Sequence, residues 1–179
     1  PWITRLNWQD KVDLAVLKKG LSQLKQSRQP LCINLSVESL QSAHFREGVL
    51  EQLLQLDVSL TALLWLDIPE RGIYAHLEAF RIFCLSIKPF ACKLGLEHAG
   101  EHFARIAELN DLGLDYYKLD ASFIRDIDEN KHNQSFVQGV VTVAHAIGLL
   151  VIAEGVTTDQ ERSQLIKLGV DAVTGPGVE

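Results

Sequence analysis

Short apolar runs alternate along this chain with segments in which apolar residues recur every three or four positions. Leu14, Leu17, Leu21 and Leu24 form the first such helical stripe. The apolar runs between the stripes are Leu31–Ser36, Ala62–Ile68, Cys92–Glu97, Tyr116–Asp120, Leu149–Val156 and Ala172–Thr174. Near-continuous apolar runs between helices are typical of a parallel sheet covered by helices, and starts roughly 20–35 residues apart suit βα units. The pattern predicts an α/β fold with six strands.

Two parallel α/β architectures fit this alternation, a doubly wound sheet and a (β/α) barrel. The run Cys32–Ser36 is not followed by the glycine-rich turn that a dinucleotide-binding doubly wound sheet carries after its first strand. A complete barrel has eight strands and typically about 250 residues, so this chain would be a shortened one. We favour the barrel, lacking its first strand or strands.

The predicted strands end on polar residues. In a parallel barrel these ends lie on one face, where residues distant in sequence converge. Carboxylates, an amide and a lysine gathered there destabilise the fold unless they are paired or bind a ligand. Oxygen ligands of this kind suit magnesium, calcium or manganese, and a lysine suits a phosphate. The residues are Asn34, Asp67, Glu97, Lys118, Asp120, Glu154 and Thr174.

Composition narrows the possible functions. The chain has 17 Lys and Arg against 23 Asp and Glu, a net charge of −6, which argues against nonspecific nucleic-acid binding.

Cys32, Cys84 and Cys92 have no metal-site spacing and are predicted to be buried, reduced thiols. The uncharged stretch from residue 132 to 153 contains polar residues and Gly148, so we expect a buried helix and strand instead of a membrane span.

Five motifs in order resemble those of the EAL domain family. Asn34–Ser36 matches N-L-S, Leu66–Glu70 lies where the family has E-(I/L/V)-T-E, and Leu94–Gly100 aligns with I-A-L-D-D-F-G. Tyr117–Ile124 is similar to L-K-I-D-x-S-F-V, and Ala144–Val156 resembles A-H-x-x-G followed by A-E-G-V. The resemblance covers nearly the whole chain. It implies a (β/α) TIM-like barrel of the EAL type and a magnesium- or manganese-dependent hydrolase of cyclic di-GMP.

Site residues follow from the resemblance position by position. Asn34, Asp67, Glu97 and Glu154 would be the metal-ligand positions if a metal binds. Lys118 would orient water or phosphate, supported by Asp120. Lys118, Glu154 and Thr174 occupy the family's catalytic positions. The residues expected to contact the nucleotide are Asn34, Ser36, Asp67, Glu97, Phe103, Lys118, Asp120, Glu154, Gly175 and Pro176.

Departures from the family pattern argue against catalysis. Asp67 replaces a Glu and Glu97 an Asp, and each exchange moves a carboxylate by one methylene; a misplacement near 1 Å can reduce a rate by roughly 10²-fold. His98 replaces the second Asp of the family's pair, which removes a negative charge and a bridging ligand. Together with Glu101 and His102, it is expected to lie in a solvated loop and not to form a new metal site. Thr174-Gly175-Pro176 replaces Q-G-Y. These substitutions make the domain degenerate. The Glu-Ala-Leu tripeptide that names the family would lie before Pro1, so residues 1–179 are interpreted as a degenerate EAL domain that is also N-terminally incomplete.

The resulting hypothesis is a catalytically inactive cyclic di-GMP receptor, similar to LapD-type receptors. Nucleotide binding would need no cofactor, and Mg or Mn would serve only residual activity. Expected partners are a sibling GGDEF- or HAMP-type domain or a second copy, with no nucleic acid. The domain would be cytoplasmic, in a protein anchored to the inner membrane through segments outside this chain. The alternatives are a weakly active phosphodiesterase and a nucleotide-independent interaction module.

Overall fold

The computed structural model describes residues 8–178. The chain forms two compact units, the first ending at Leu94 and the second beginning at Gly95. Both units consist of parallel strands connected through helical segments. The predicted alternation of strands and helices is confirmed.

Unit 1 contains five α-helices, two complete strands and the first residues of a third within its described part. The helices are α1 (Gln9–Ser27), α2 (Val37–Gln41), α3 (Ala43–Leu53), α4 (Val58–Thr61) and α5 (Leu77–Ile87). The strands are β1 (Leu31–Asn34), β2 (Leu64–Pro69) and β3 (Lys93–Ala99), the last crossing the unit boundary. Single 3-10 turns lie at Ile73–Ala75 and Lys88–Phe90. β1 and β2 pair in parallel, with Asn34 opposite Asp67.

Unit 2 continues the same pattern. Its elements after β3 are a 3-10 segment at Phe103–Leu112, β4 (Tyr116–Leu119), α6 (Ala121–Ile124), α7 (Lys131–Ala146), β5 (Leu150–Ala153), α8 (Asp159–Lys167) and β6 (Ala172–Val173). Each of the pairs β3·β4, β4·β5 and β5·β6 is parallel. Their order in the sheet therefore follows their order in the chain, as successive βα units produce.

Side-chain and backbone caps define the helix boundaries. In α1, Leu17, Leu21 and Leu24 are buried at helical spacing, and the helix ends where Arg28 adopts a left-handed φ of 52° and donates its N–H to Leu24 O. The side chain of Asn130 accepts N–H bonds from the first turn of α7. These hydrogen bonds set the residue at which α1 ends and the residue at which α7 begins.

The stretch from residue 132 to 153 forms most of α7 and the whole of β5, as predicted. Within residues 8–178, no helix has the length and apolarity to cross a membrane. Leu54 caps the end of α3, and its side chain is 73% exposed.

The prediction of buried thiols is confirmed at two positions and wrong at the third. Cys84 and Cys92 are buried, and burial raises the pKa of Cys84 to about 12. Cys32 is exposed. Successive residues of a strand point to opposite faces, and β1 buries Ile33, which turns Cys32 to the other face.

Candidate functional site

In unit 1, the carboxyl ends of β1 and β2 bring two predicted site residues side by side. Asn34 and Asp67 are register partners, and Leu35 N donates to Asp67 O at 2.8 Å. The Asp67 side chain is buried, and the Cys32 thiol donates to its Oδ2 at 2.9 Å. A protein donor therefore already binds the carboxylate that the resemblance places at a metal position.

Ser36, just beyond β1, is bonded to α1. Its N–H and its hydroxyl both donate to Asp13 Oδ2, at 2.8 and 2.7 Å. Ser39 donates to the same carboxylate oxygen at 2.7 Å. This carboxylate fixes the turn that follows β1, and a direct role of Ser36 in ligand binding stays a prediction.

In unit 2, β3 ends in an irregularity that places Glu97 and His98. The register with β4 shifts between Leu96 and Ala99, as it does where a bulge inserts extra residues into a strand. His98 adopts a left-handed φ of 49°, which few residues other than Gly, Asn and Asp adopt. Glu97 is buried, whereas the His98 side chain is 61% exposed.

The His98 side chain lies between two carboxylates. Its Nδ1 is 3.2 Å from Asp120 Oδ2 and 3.3 Å from Glu154 Oε2. Its backbone N–H donates to the same Glu154 oxygen at 3.0 Å. The side chain of His98 is solvated as predicted, but the prediction of a loop is wrong, because β3 continues through His98 to Ala99.

Backbone bonds hold Asp120 and Glu154 near His98. Asp120 N donates to Ala99 O at 2.9 Å, and Glu154 N donates to Leu119 O at 3.0 Å. These bonds extend the parallel pairing one residue beyond β4 and β5. The predicted convergence of strand ends is therefore observed within unit 2 for Asp120 and Glu154.

Asp120 also caps α6. Its Oδ1 accepts the N–H of Ser122 at 2.9 Å. The bonding to Ser122, together with that to His98, holds the pKa of Asp120 below its ordinary value although partial burial opposes the shift. The carboxylate is thus kept ionised by its neighbours.

Lys118 lies on β4, two residues before Asp120. Its side chain shares a face of the strand with that of Tyr116, which is also two residues away. The Lys118 ammonium lies 5.6 Å from the centre of the Tyr116 ring. Tyr116 is fully buried. This contact directs the half-buried lysine back along its own strand.

The segment from Thr174 to Gly177 packs against the loop after β5 through its backbone. Thr174 N donates to Ala153 O at 2.8 Å, and its carbonyl accepts from Val156 N at 3.0 Å. A Cβ built on Gly175 would lie 2.3 Å from Val156 O. Glycine is therefore required there by close approach, and Pro176 follows in the same tight segment.

Phe103, predicted to lie against a base, packs in an aromatic cluster of unit 2. Its ring meets Phe136 of α7 edge-on at 5.8 Å between centroids, and Phe136 stacks on Phe123 at 4.6 Å. The cluster explains the position of Phe103 without a ligand, and base stacking stays a prediction.

Glu161 was not singled out by the sequence reasoning, although it is nearly fully buried in unit 2. It accepts N–H bonds from Thr157, Thr158 and Asp126, at 2.7, 3.3 and 3.0 Å. Burial opposes ionisation, but these bonds together hold its pKa below the ordinary value. The capping-box spacing from Thr158 to Glu161 was the signal that could have found it.

The site residues are a poor fit for the metals that the resemblance implies. Among residues 8–178, no set of three or more His, Cys, Asp or Glu side chains is arranged to hold a metal ion. In unit 2, Asp120 and Glu154 contact the imidazole of His98. A divalent cation would have to displace that contact.

Comparison with known proteins gives the family. The family model described as "EAL domain" matches residues 1–178. The chain belongs to the EAL domain family. Among curated relatives, the cyclic di-GMP phosphodiesterase PdeA of Borreliella burgdorferi is 28% identical over 174 residues, which are 94% of this chain and 26% of the relative. The cyclic di-GMP phosphodiesterase PdeF of Escherichia coli is 25% identical, over 92% of this chain and 22% of the relative.

Solved structures show the same fold. The EAL domain of Xanthomonas citri FimX in complex with c-diGMP is 24% identical with a TM-score of 0.86, covering 97% of this chain and 70% of that chain. The S helix-GGDEF-EAL part of Vibrio cholerae LapD bound to c-di-GMP is 22% identical with a TM-score of 0.87, covering 97% and 43%. The predicted fold class, α/β of the EAL type, is confirmed. This EAL chain spans about a quarter of the length of the two curated relatives above.

Proposed function

We propose that this EAL domain binds cyclic di-GMP and does not hydrolyse it. The contact of His98 with both Asp120 and Glu154 supports this proposal most strongly. In active members, as the family resemblance implies, carboxylates set the geometry of two metals that gather the attacking water and a phosphate oxygen. Here an imidazole takes the place of one carboxylate of the family's pair and contacts Asp120 and Glu154, the second of which is one of the metal-ligand positions that the resemblance implies.

Binding has weaker requirements than hydrolysis. A groove with apolar walls, backbone N–H groups and a few polar side chains is sufficient to hold a nucleotide. Glu154, whose carboxylate is held by the His98 N–H, offers an acceptor for the edge of a guanine. The FimX and LapD structures described above are complexes with this nucleotide. They support the choice of ligand, and Lys118 adds a cation suited to its phosphates.

The proposed biological role is that of a receptor. Occupancy would be relayed to a sibling GGDEF- or HAMP-type domain or to a second copy, in a parent protein anchored at the inner membrane. The S helix-GGDEF-EAL arrangement of the LapD structure supports this choice of sibling. Segments outside this chain would provide the anchor and leave the EAL domain in the cytoplasm.

Calorimetric titration with cyclic di-GMP in EDTA tests binding, and chromatography of the nucleotide after overnight incubation with Mn²⁺ tests hydrolysis. We expect saturable heat in EDTA and intact nucleotide with Mn²⁺. Glu154→Ala should weaken binding, whereas Glu129→Ala, an exposed acid in the turn before α7, should leave it unchanged. Absence of heat would overturn the binding proposal and leave the interaction module.

The second candidate is a metal-dependent phosphodiesterase, favoured by the names of the curated relatives. It requires Asp67 and Glu97 to compensate for each other's length and His98 to act as a metal ligand. Linear dinucleotide formed with Mn²⁺, and lost in Glu154→Ala, would establish this candidate and overturn the inactive receptor.

A further inference from the structure

We propose that the imidazole of His98 occupies the place of a divalent cation between Asp120 and Glu154, so that this carboxylate pair binds no metal ion while His98 is present. The inference rests on the proposed function and deepens it, because it names the group that makes the site independent of metal. It depends on three observations within unit 2.

The first observation is the geometry of the donors. Carboxylate oxygens of ionised Asp and Glu only accept hydrogen bonds. The Nδ1 atom 3.2 Å from Asp120 Oδ2 is therefore the donor to that oxygen, and it also lies 3.3 Å from Glu154 Oε2. Nδ1 lies close to both carboxylates from one position. A bound cation takes a similar position when it relieves the repulsion between two neighbouring negative charges.

The second observation is the double engagement of Glu154. Its Oε2 accepts the backbone N–H of His98 at 3.0 Å while the imidazole lies 3.3 Å away. A divalent cation needs carboxylate oxygens at about 2.0–2.6 Å and their lone pairs directed at it. The Glu154 oxygen already accepts the backbone N–H of His98 and lies against its imidazole, so a metal would have to displace both contacts.

The third observation is that the backbone holds His98 in this position. The shift of register between Leu96 and Ala99 and the left-handed φ of 49° at His98 direct its N–H and its side chain to the same side. A non-glycine residue in this conformation costs free energy and persists where its surroundings compensate. The contacts with Asp120 and Glu154 are that compensation.

The left-handed conformation also provides suitable test variants, because Asp and Asn adopt it more readily than other residues. His98→Asp removes the imidazole and adds a carboxylate, whereas His98→Asn removes the imidazole without adding charge. His44→Asp is the matched control, since His44 is exposed in the first turn of α3 and gives the same change of charge in unit 1.

The experiment is titration of each nucleotide-free protein with Mn²⁺, following free Mn²⁺ by electron paramagnetic resonance. Wild type and His44→Asp should bind Mn²⁺ weakly, whereas His98→Asn, which removes the imidazole without adding a carboxylate, should bind one Mn²⁺ more tightly than wild type. His98→Asp should bind one Mn²⁺ roughly 10- to 100-fold more tightly, and the added change Glu154→Gln should remove that gain. Circular dichroism establishes that each variant is folded.

Two results would overturn the inference: wild type binding Mn²⁺ as tightly as His98→Asn, or a folded His98→Asn that gains no affinity. Neither involves the nucleotide. The separate titration with cyclic di-GMP in EDTA therefore reports on the proposed function, and each proposal can fail while the other holds.

Discussion

One oxygen of Glu154 contacts His98 twice: it accepts the backbone N–H at 3.0 Å and lies 3.3 Å from Nδ1 of the imidazole. Because Glu154 follows β5 and His98 lies at the end of β3, the contact joins strand ends 56 residues apart in the chain. The orientation of the Glu154 carboxylate therefore depends on strands that come together only when the sheet has folded. The same contact carries both proposals above.

Gly175→Ala should destabilise the protein. The new Cβ would lie 2.3 Å from Val156 O, and the residue has a φ of 145°, which side chains disfavour. We expect a loss of about 1–3 kcal/mol in the free energy of unfolding. Urea denaturation followed by circular dichroism measures the change.

Gly139→Ala is the matched control for that change. Gly139 lies inside α7, and a Cβ there meets nothing within 4 Å. Alanine is favoured over glycine in a helix interior by about 0.5–1 kcal/mol, so this variant should be the more stable one. Equal effects of the two substitutions would contradict the close approach at Gly175.

Glu161→Gln should reduce stability and flatten its dependence on pH. In the folded protein the pKa of Glu161 is held below its ordinary value of 4.5. The ionised group therefore stabilises the fold fully above pH 4.5, and this contribution disappears as the pH falls through the lower folded-state pKa. The variant should lose about 0.5–2 kcal/mol near neutral pH, a typical effect of a lost cap.

Thermal unfolding from pH 7 down to pH 3 tests the Glu161 prediction. The difference between wild type and Glu161→Gln should be largest near neutral pH and shrink in acid. Glu51→Gln, at an exposed position on α3, provides the control with the same chemical change. A constant difference at all pH values would show that Glu161 acts without its charge.

Thiol labelling should distinguish Cys32 from the other two cysteines. Cys32 is exposed, whereas burial shields Cys84 and Cys92 and raises the pKa of Cys84 to about 12. Under native conditions a disulfide reagent such as dithionitrobenzoate should label one thiol faster than the other two, since exposure limits access to the reagent. Rapid labelling should vanish in Cys32→Ser.

Labelling of the denatured protein serves as the internal standard of the same experiment. All three thiols of wild type should react after denaturation, and two should react in denatured Cys32→Ser. Rapid labelling of Cys84 in the native protein would contradict its burial.

The order of elements was predictable because it depends on local patterns. Buried strands and helical stripes repeat with different periods, and these remain readable without knowledge of tertiary contacts. The same patterns identified Asp67 as a polar residue near the end of β2, and Asp120 and Glu154 as polar residues just beyond β4 and β5. Parallel pairing then brought Asn34 beside Asp67 in unit 1.

Side-chain direction was decided by tertiary structure. The bulge in β3 and the left-handed backbone of His98 result from pairing with β4, and no spacing in the sequence indicates them. Cys32 is exposed because Ile33 takes the buried face of β1, and Phe103 packs on Phe136 from a helix more than 30 residues away. Sequence patterns report which residues alternate and where strands end, since these depend on near neighbours. The donor that meets each carboxylate depends on contacts between distant segments, which exist only after folding.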